Sequence, residues 1–404
     1  KFSLNSENKV NLTSRNIGKN NDKFYLWIKV LDINGSEHVK INEFTIEKLE
    51  KIIGVTEPYF PSDNYNQVPG TDLTTGLVIT DNVDNLGNSV GNEYVWVEVP
   101  KTIFNTESAY LSENNGNAVT SSTDYTGIYN VLNSYASPYR EGSVGQGNYW
   151  KDEWYDSSNK TAETSTNLND TAGCGLTSEN YLSLYQKMLK SVYEHGGFWV
   201  GRYEAGCVNH RLSHTAVPET DIPLSKPGIF PYMFVNTSEA QSLALRISSR
   251  DNLNDVNNGY TSSLLFGIQW DLMCKFIEGS TEWDTSSHQA SWYINTNSSS
   301  WGVYSSSRAY TGSNNAYKRK NIFDIAGNEF EWTLEHGTNN PSAKRGGYYY
   351  DSGSTYPVSC RLSSSIGVCY YSDRFPCGTL EIRILCNNIR EGGIKNGNIY
   401  NNSD

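Results

Sequence analysis

Cysteines are the most reactive side chains in this sequence, but their spacing does not fit the chemistry that cysteines usually perform. Zinc sites and redox motifs use C-x-x-C pairs, and none occurs here. An odd number of cysteines also excludes a framework in which every thiol is paired within the chain. We therefore expect neither a zinc site nor a complete disulfide framework from the seven cysteines, which are Cys174, Cys207, Cys274, Cys360, Cys369, Cys377 and Cys386.

Histidines and carboxylates give no stronger sign of catalysis. His210 and His214 are four residues apart, a spacing that presents two imidazoles to a metal only on a helix. The surrounding HRLSH has no helical pattern, so solvated loop histidines are expected. Glu329 and Glu331 could form an acid/base pair, although surface or turn positions are commoner for such residues. Because no G-x-S-x-G, H-E-x-x-H or P-loop spacing occurs, the chain is not expected to be an enzyme.

The composition excludes several classes of partner. The formal net charge is -12, and Lys and Arg form no basic stripe, which argues against binding to nucleic acid or to an anionic membrane surface. No apolar run approaches the roughly 18 residues that span a bilayer, so no membrane insertion is expected within this chain. Aromatic residues make up 13% of the sequence, a share typical of a chain that folds.

The chain divides by pattern into four parts. Residues 1–53 form a β-rich segment, because KFYLWIKVLDINGSEHVKINEF alternates, turns at Asn34-Gly35 and alternates again, as a hairpin does. This segment resembles the last strands of a bacterial Ig-like module, present as a fragment or an extension. Residues 54–67 are expected as a linker rich in Pro and Gly, 68–386 as the main domain, and 387–404 as a polar tail.

The main domain opens with a second hairpin, GLVITDNVDNLGNSVGNEYVWVEVP. The polar, weakly patterned residues 105–176 are expected as a long insertion. A helix capped by Thr177 or Ser178 follows, and Gly196-Gly197 ends it. Its apolar positions fall at helical spacing, namely Leu182, Tyr185, Met188, Leu189 and Val192.

Two further helices and one last strand are expected. Asn236 and Glu239 have the spacing of a capping box, in which each side chain bonds the other residue's backbone N–H. The third helix is expected to run through SSLLFGIQWDLMCKFIEG, with Cys274 in the core. LEIRILC is expected as the closing strand.

Four landmarks occur in one order: GGFWVGRYEAG, NIFDIAGNEFEWT, KRGG and LEIRIL. This series resembles the formylglycine-generating-enzyme (sulfatase-modifying factor) version of the C-type lectin fold, and implies an α+β fold of that type over residues 68–386. The sequence departs from the family's closing Gly and Phe, which are replaced by Glu381 and Ile382.

The motif DIAGNEFEWT has mainly a structural interpretation. Asp324 and Asn328 can tie a turn by bonding backbone N–H groups, and Trp332 is a large anchor whose indole N–H needs one partner. The alternative is an oxygen-rich calcium site near Asp324, Asn328 and Glu331. No other cofactor is expected. Family members that oxidise a substrate cysteine carry a C-x4-C pair after the RGG motif, and those positions are Asp351 and Tyr356 here, so the resemblance does not extend to oxidase activity.

Gly346–Leu380 resembles the variable region of proteins diversified by retroelements in phages and bacteria. Such elements rewrite the adenines of AAY codons into NNY codons, which cannot encode Lys, Glu, Gln, Met or Trp. Those five types account for 63 of the 404 residues, yet the 35 residues from 346 to 380 contain none of them and no Asn. We refer to residues 346–380 as the variable stretch.

The variable stretch also has the chemistry of a contact surface. Tyrosines offer rigid amphipathic area while Ser and Gly adapt around them, as in antibody paratopes. Gly346-Gly347, Pro357, Arg361 and Arg383 are expected to belong to the scaffold. The predicted ligand-binding residues are Tyr350, Asp351, Tyr356, Cys360, Leu362, Ser363, Tyr370, Tyr371, Ser372, Asp373, Arg374 and Phe375.

These patterns predict a non-catalytic, receptor-like or adhesion-type binding protein. Its ligand is expected to be a protein or glycan on another cell or virus. The family resemblance implies an extracellular, cell-surface or virion location, with a signal or anchor upstream of Lys1 left open. Two alternatives also remain open: a lectin-like carbohydrate binder, and an oxidase of the formylglycine-generating type with an altered active site.

Overall fold

The structure is a computed structural model, and it divides the chain into two units, Lys1–Ile53 and Gly54–Asp404. It describes residues 2–4, 10–12, 23–31, 37–45, 56, 58–61, 65–105, 122–140, 150–155, 174–250, 260–278, 308–337, 341–347, 349, 358–359, 361–364, 380–381 and 384–388.

The described residues of the first unit form two antiparallel strand pairs. The strands β1 (Phe2–Leu4) and β2 (Val10–Leu12) form one pair, and β3 (Lys23–Leu31) and β4 (Glu37–Thr45) form the other. The longer pair runs in continuous register from Lys23 opposite Thr45 to Leu31 opposite Glu37, which confirms the predicted hairpin. Its turn at Asn34-Gly35 lies outside the described residues.

The second unit mixes helices and strands. Its helices are α1 (Ser122–Tyr135), α2 (Ser137–Arg140), α3 (Ser178–His195), α4 (Thr237–Arg250) and α5 (Gly267–Glu278), with short 3-10 turns at Lys101–Asn105 and Asn315–Tyr317. Its strands are β5 (Asn66–Gln67), β6 (Val78–Thr80), β7 (Glu93–Glu98), β8 (Gly197–Gly201), β9 (Gly206–Cys207), β10 (Phe230–Pro231), β11 (Tyr260–Leu264), β12 (Lys318–Arg319), β13 (Ile322–Phe323), β14 (Phe330–Thr333), β15 (Ser342–Arg345), β16 (Leu362–Ser364), β17 (Leu380–Glu381) and β18 (Ile384–Asn388).

Two sheets, of six and four strands, contain ten of these strands, and the antiparallel pairs β9-β10 and β12-β13 contain the other four. The larger is antiparallel, with the order β11-β18-β8-β7-β6-β5, and β6 and β7 confirm the second predicted hairpin. The smaller has the order β16-β15-β14-β17. In this sheet β14 pairs antiparallel with β15 and parallel with β17, where Phe330 lies opposite Leu380. The protein is therefore of mixed α+β class.

Helix ends follow the local signals closely. The Thr177 hydroxyl accepts a bond from the N–H of Asn180, and Gly196 ends α3 in the left-handed conformation at φ 70°. Asn236 and Glu239 form the predicted capping box before α4, with N···O distances of 2.9 and 2.8 Å.

Three expectations about these elements are wrong. Leu182 is 52% exposed, because the buried stripe of α3 runs through Tyr181 and Leu184 instead. Ser262, Ser263 and Leu264 belong to β11, which pairs with β18, and α5 begins only at Gly267. Residues 105–176 are not simply an insertion, since they contain α1 and α2, and α1 buries Ile128, Val131 and Leu132.

Among the described residues, the core of the second unit contains four tryptophans that are at most 2% exposed, and each of their indole N–H groups has an acceptor, as buried indoles require. Trp332 donates to the Val235 carbonyl at 3.0 Å, which confirms its predicted anchoring role. The other three pairs are Trp96 with the Thr56 hydroxyl, Trp199 with the Tyr59 carbonyl and Trp270 with the Val358 carbonyl. Thr56 and Tyr59 lie in the segment expected as a linker, so part of 54–67 packs into the second unit.

Candidate binding surface and its buried support

Most of the predicted ligand-binding residues lie outside the described residues, namely Tyr350, Asp351, Tyr356, Cys360, Tyr370, Tyr371, Ser372, Asp373, Arg374 and Phe375. The two that are described, Leu362 and Ser363, lie in β16. Leu362 is half-buried and packs against the hydrophobic core, and Ser363 lies opposite Ala343 of β15. Their role as ligand contacts stays a prediction.

Two arginines hold the chain on either side of the first part of the variable stretch. Arg345 ends β15, Arg361 directly precedes β16, and both side chains are fully buried. Arg345 reaches Asp271 at 2.6 Å and Glu335 at 2.7 Å. Arg361 pairs with the same two carboxylates, at 2.9 Å from Nε to the Glu335 Oε2. Each guanidinium thus bridges Asp271 and Glu335. The residue before position 346 and the residue after position 360 are therefore held by the same two carboxylates.

A third arginine completes this group. Arg140 of α2 lies 3.0 Å from Asp271 and 3.0 Å from Asp152. The Arg361 Nη1 also donates to the Tyr139 carbonyl at 2.8 Å. Three guanidiniums therefore face three buried carboxylates, and their formal charges cancel. We call this group the buried charge cluster, consisting of Arg140, Asp152, Asp271, Glu335, Arg345 and Arg361.

The sequence did not predict the buried charge cluster. Only the scaffold role of Arg361 was predicted, and its complete burial confirms that role. The six members of the cluster span residues 140–361, a separation that no local pattern encodes. One signal was present: Asp271 stands in the otherwise apolar run IQWDLM. A carboxylate at such a position requires a buried cationic partner, since burying an unpaired charge is costly.

The cluster predicts how stability depends on pH. Burial by itself would raise the pKa of Glu335, but the guanidiniums of Arg361, Arg345 and Arg140 lower that pKa well below the ordinary 4.5. A carboxyl whose pKa is lower in the folded state stabilises the fold above its unfolded pKa, and this stabilisation is lost as the pH falls towards the folded value. We therefore expect the contribution of Glu335 to be lost below about pH 4.5, which lowers the urea midpoint there. Burial raises the pKa of Asp152 to about 6, so protonation of that carboxyl acts in the opposite direction, between about pH 6 and pH 4.

The variant Glu335→Gln isolates the contribution of Glu335. It should be less stable than wild type at neutral pH, and the gap between the two should narrow towards about pH 3. Glu153→Gln, at an exposed carboxylate, is the matched control and should show no comparable change. A gap that stays constant across this range would contradict the assignment.

In DIAGNEFEWT, Asp324 and Asn328 accept hydrogen bonds from backbone N–H groups, as predicted, but the donors belong to an earlier segment and not to the turn itself. Asp324 and Asn328 both have positive φ, at 57° and 58°. The Asp324 carboxylate accepts from the N–H of Gly312 at 2.6 Å, and the Asn328 amide oxygen accepts from that of Ala309 at 2.9 Å. The motif thus ties down the segment that precedes it.

Glu329 and Glu331 are fully buried, so a surface position is wrong for both; Glu329 lies in the bend before β14 and Glu331 within that strand. Glu329 is compensated by Arg308, whose Nε lies 2.6 Å from its Oε1. Glu331 lies so close to Gly346 that a Cβ there would approach its Oε2 to 2.8 Å, and Gly346 has a φ of 90°. Only glycine fits this first position of the variable stretch without strain.

No described residues support a metal site. Across the described ranges, no group of three or more His, Cys, Asp or Glu side chains is arranged to hold a metal ion. The Asn328 side-chain N–H groups donate to the Glu204 carboxylate and to the Ala309 carbonyl, and the calcium alternative near this motif stays a prediction. His210 and His214 are exposed outside any helix, as predicted; His210 stacks on Phe230 and His214 contacts Glu239 at 3.1 Å.

The described cysteine side chains are not activated. Cys174, Cys207 and Cys274 are free thiols, and Cys274 is fully buried in α5, as predicted. Burial raises the pKa of Cys174 and of Cys207 to about 11, so both stay protonated near neutral pH. A protonated thiol is a poor nucleophile and metal ligand. Cys360, Cys369 and Cys377 lie outside the described residues.

No protein-family model matches the chain, and comparisons with curated proteins and with solved structures found no match. No helix among the described residues is long and apolar enough to cross a membrane. The described residues form a mixed α+β protein in which the buried charge cluster holds Arg345, at the end of β15, and Arg361, directly before β16.

Proposed function

We propose that this chain is a non-catalytic binding protein that presents the variable stretch as a diversified contact surface. The observation that carries the proposal is the anchoring of Arg345 and Arg361, both fully buried, on the shared carboxylates of Asp271 and Glu335. Side chains between the two arginines can then vary without moving the points where the chain enters and leaves the core. Binding proteins need such rigid support beneath adaptable loops.

The sheet supports the same interpretation for the second part of the stretch. Residues 346–361 connect β15 to β16, and residues 365–379 connect β16 to β17, all strands of the smaller sheet. Both connections therefore begin and end on one framework. Their richness in Tyr, Ser and Gly suits a contact surface, as it does in antibody loops.

The order of the four landmarks favours a C-type lectin fold of the formylglycine-generating-enzyme type, diversified by a retroelement in a bacterium or phage. A protein or glycan on another cell or virus is then the expected ligand, and an extracellular, cell-surface or virion location follows. Asp351 and Tyr356, at the positions of the family's catalytic cysteines, argue against the oxidase alternative.

A display library tests the binding function. The full-length chain is displayed with NNY codons at Tyr350, Asp351, Tyr356 and 370–375. The library is then selected on an immobilised test protein such as lysozyme. We expect binders whose melting temperature stays within about 4 °C of wild type, because the varied residues are proposed to contact a ligand and not to support the fold. Enrichment in selection and thermal unfolding of the purified binders are the measurements.

A second library, varied at five exposed positions elsewhere and screened with the same number of clones, is the control: Leu86, Val90, Val208, Leu212 and Tyr310. It should yield no binders after equal rounds of selection. Equal yields from both libraries, or unfolding of most variants of the first, would refute the proposal. The retroelement part is tested separately by the adjacent DNA, where a near-copy of codons 346–386 rich in AAY beside a reverse transcriptase gene is expected.

A further inference from the structure

A cavity of about 400 Å³ is lined by described residues that lie outside the variable stretch in sequence. Its walls come from α1, from α3 and from the segment Trp150–Glu153. This volume is within the range of small-molecule sites. The segment is held firmly, since Lys151 and His336 exchange backbone hydrogen bonds at 2.9 and 3.0 Å.

Aromatic rings form much of the cavity wall. Tyr125 and Tyr129 come from α1, Tyr185 from α3, and Trp150 from the connecting segment. The rings of Tyr129 and Tyr185 lie 6.1 Å apart at 59°, and Phe266 supports Tyr185 from 5.2 Å. Flat apolar faces on a fixed frame suit a ligand with its own flat apolar faces.

One buried donor in this wall lacks an acceptor. The Nε1 of Trp150 has no hydrogen-bond partner in the part of the chain that the structure describes, although Trp150 is only 8% exposed. A buried polar group without a partner costs about 1–3 kcal/mol. An oxygen atom of a bound ligand would satisfy this donor.

The remaining polar lining offers both donors and acceptors with little net charge. Asn130 and Gln186 present amides, which can each donate and accept. Lys151 and Glu153 pair with each other at 3.3 Å, which offsets their charges. Asp152 is already used, because it accepts from the backbone N–H groups of Gly267 and Ile268 at 2.6 and 3.0 Å.

We propose that this cavity is a second ligand site, which binds a mono- or disaccharide without a metal ion. Sugar rings have apolar faces that stack on aromatic rings and hydroxyl groups that both donate and accept. The lining matches both properties and offers no uncompensated charge to an ionic ligand. The inference rests on the described cavity and not on the function proposed for the variable stretch.

Titration calorimetry and saturation-transfer NMR on the whole chain test this site. The probes are glucose, galactose, mannose, N-acetylglucosamine, maltose, cellobiose and lactose, each with and without EDTA. At least one is expected to bind, with EDTA having no effect. Trp150→Phe keeps a ring but removes the N–H, and should weaken binding by about tenfold. Gln186→Ala, on the half-buried face of α3, should weaken it by a similar factor.

Two control variants distinguish sugar binding in the cavity from binding at the variable stretch or elsewhere on the surface. Tyr310→Phe, at an exposed tyrosine outside the cavity, should bind the sugar as wild type does. Tyr356→Ala in the variable stretch should also leave sugar binding unchanged. Choline, a cation, is tested beside the sugars. The proposal is overturned if no sugar binds, whether or not choline does. It is also overturned if Gln186→Ala and Trp150→Phe both retain wild-type affinity.

Discussion

Replacing Asp271 with alanine is expected to lower the free energy of unfolding by about 3–5 kcal/mol, because it leaves buried guanidiniums without their carboxylate. Asp271 contacts Arg140, Arg345 and Arg361, and all four groups are almost fully buried. Denaturation in urea gives the change in free energy. Trypsin supplies a second measurement, since it cleaves after arginine, and cleavage at Arg345 and Arg361 should become faster in the variant.

An exposed ion pair supplies the control for this variant. Glu153→Ala removes the partner of Lys151 at the surface, where such pairs contribute about 0–1 kcal/mol. The large difference expected between the two variants comes from burial and not from the number of ion pairs broken. If Asp271→Ala costs no more than Glu153→Ala, the buried charge cluster does not stabilise the fold as described.

Replacing Trp270 with alanine is the second large change, with an expected loss of about 3–5 kcal/mol from the cavity it leaves. Trp270 is completely buried in α5. Its indole N–H donates to the Val358 carbonyl at 2.9 Å, and the Arg345 guanidinium lies 5.4 Å from its ring centroid. The ring therefore supports the chain at both ends of residues 346–360, and binders selected from the first library should lose affinity when it is removed.

Trp270→Phe is the matched control, because it keeps most of the ring but removes the N–H. It should cost less than the alanine variant, with about 1–3 kcal/mol attributable to the unsatisfied Val358 carbonyl. Urea denaturation and binding to the selected test protein are measured on both variants. Equal and small effects of the two substitutions would show that this indole is not a support for the variable stretch.

Local signals predicted the helix ends well because a cap involves residues that are neighbours in sequence. Asn236 and Glu239 are three residues apart, and their reciprocal hydrogen bonds need nothing from the rest of the fold. The start of α5 was predicted wrongly for the opposite reason. Its N-terminus is capped by Asp152, 115 residues earlier, while residues 262–264 pair with β18, more than 100 residues later.

By itself, the sequence determined the two hairpins, the caps of α3 and α4, the anchor Trp332 and the unusual composition of the variable stretch, since each depends on neighbouring residues or on residue type alone. The tertiary structure decided the rest. It buried Glu329 and Glu331, and it brought Arg140, Asp271 and Arg361 together from three distant parts of the chain. A charged side chain can be buried only where its partner is also present, and that partner is supplied by the fold.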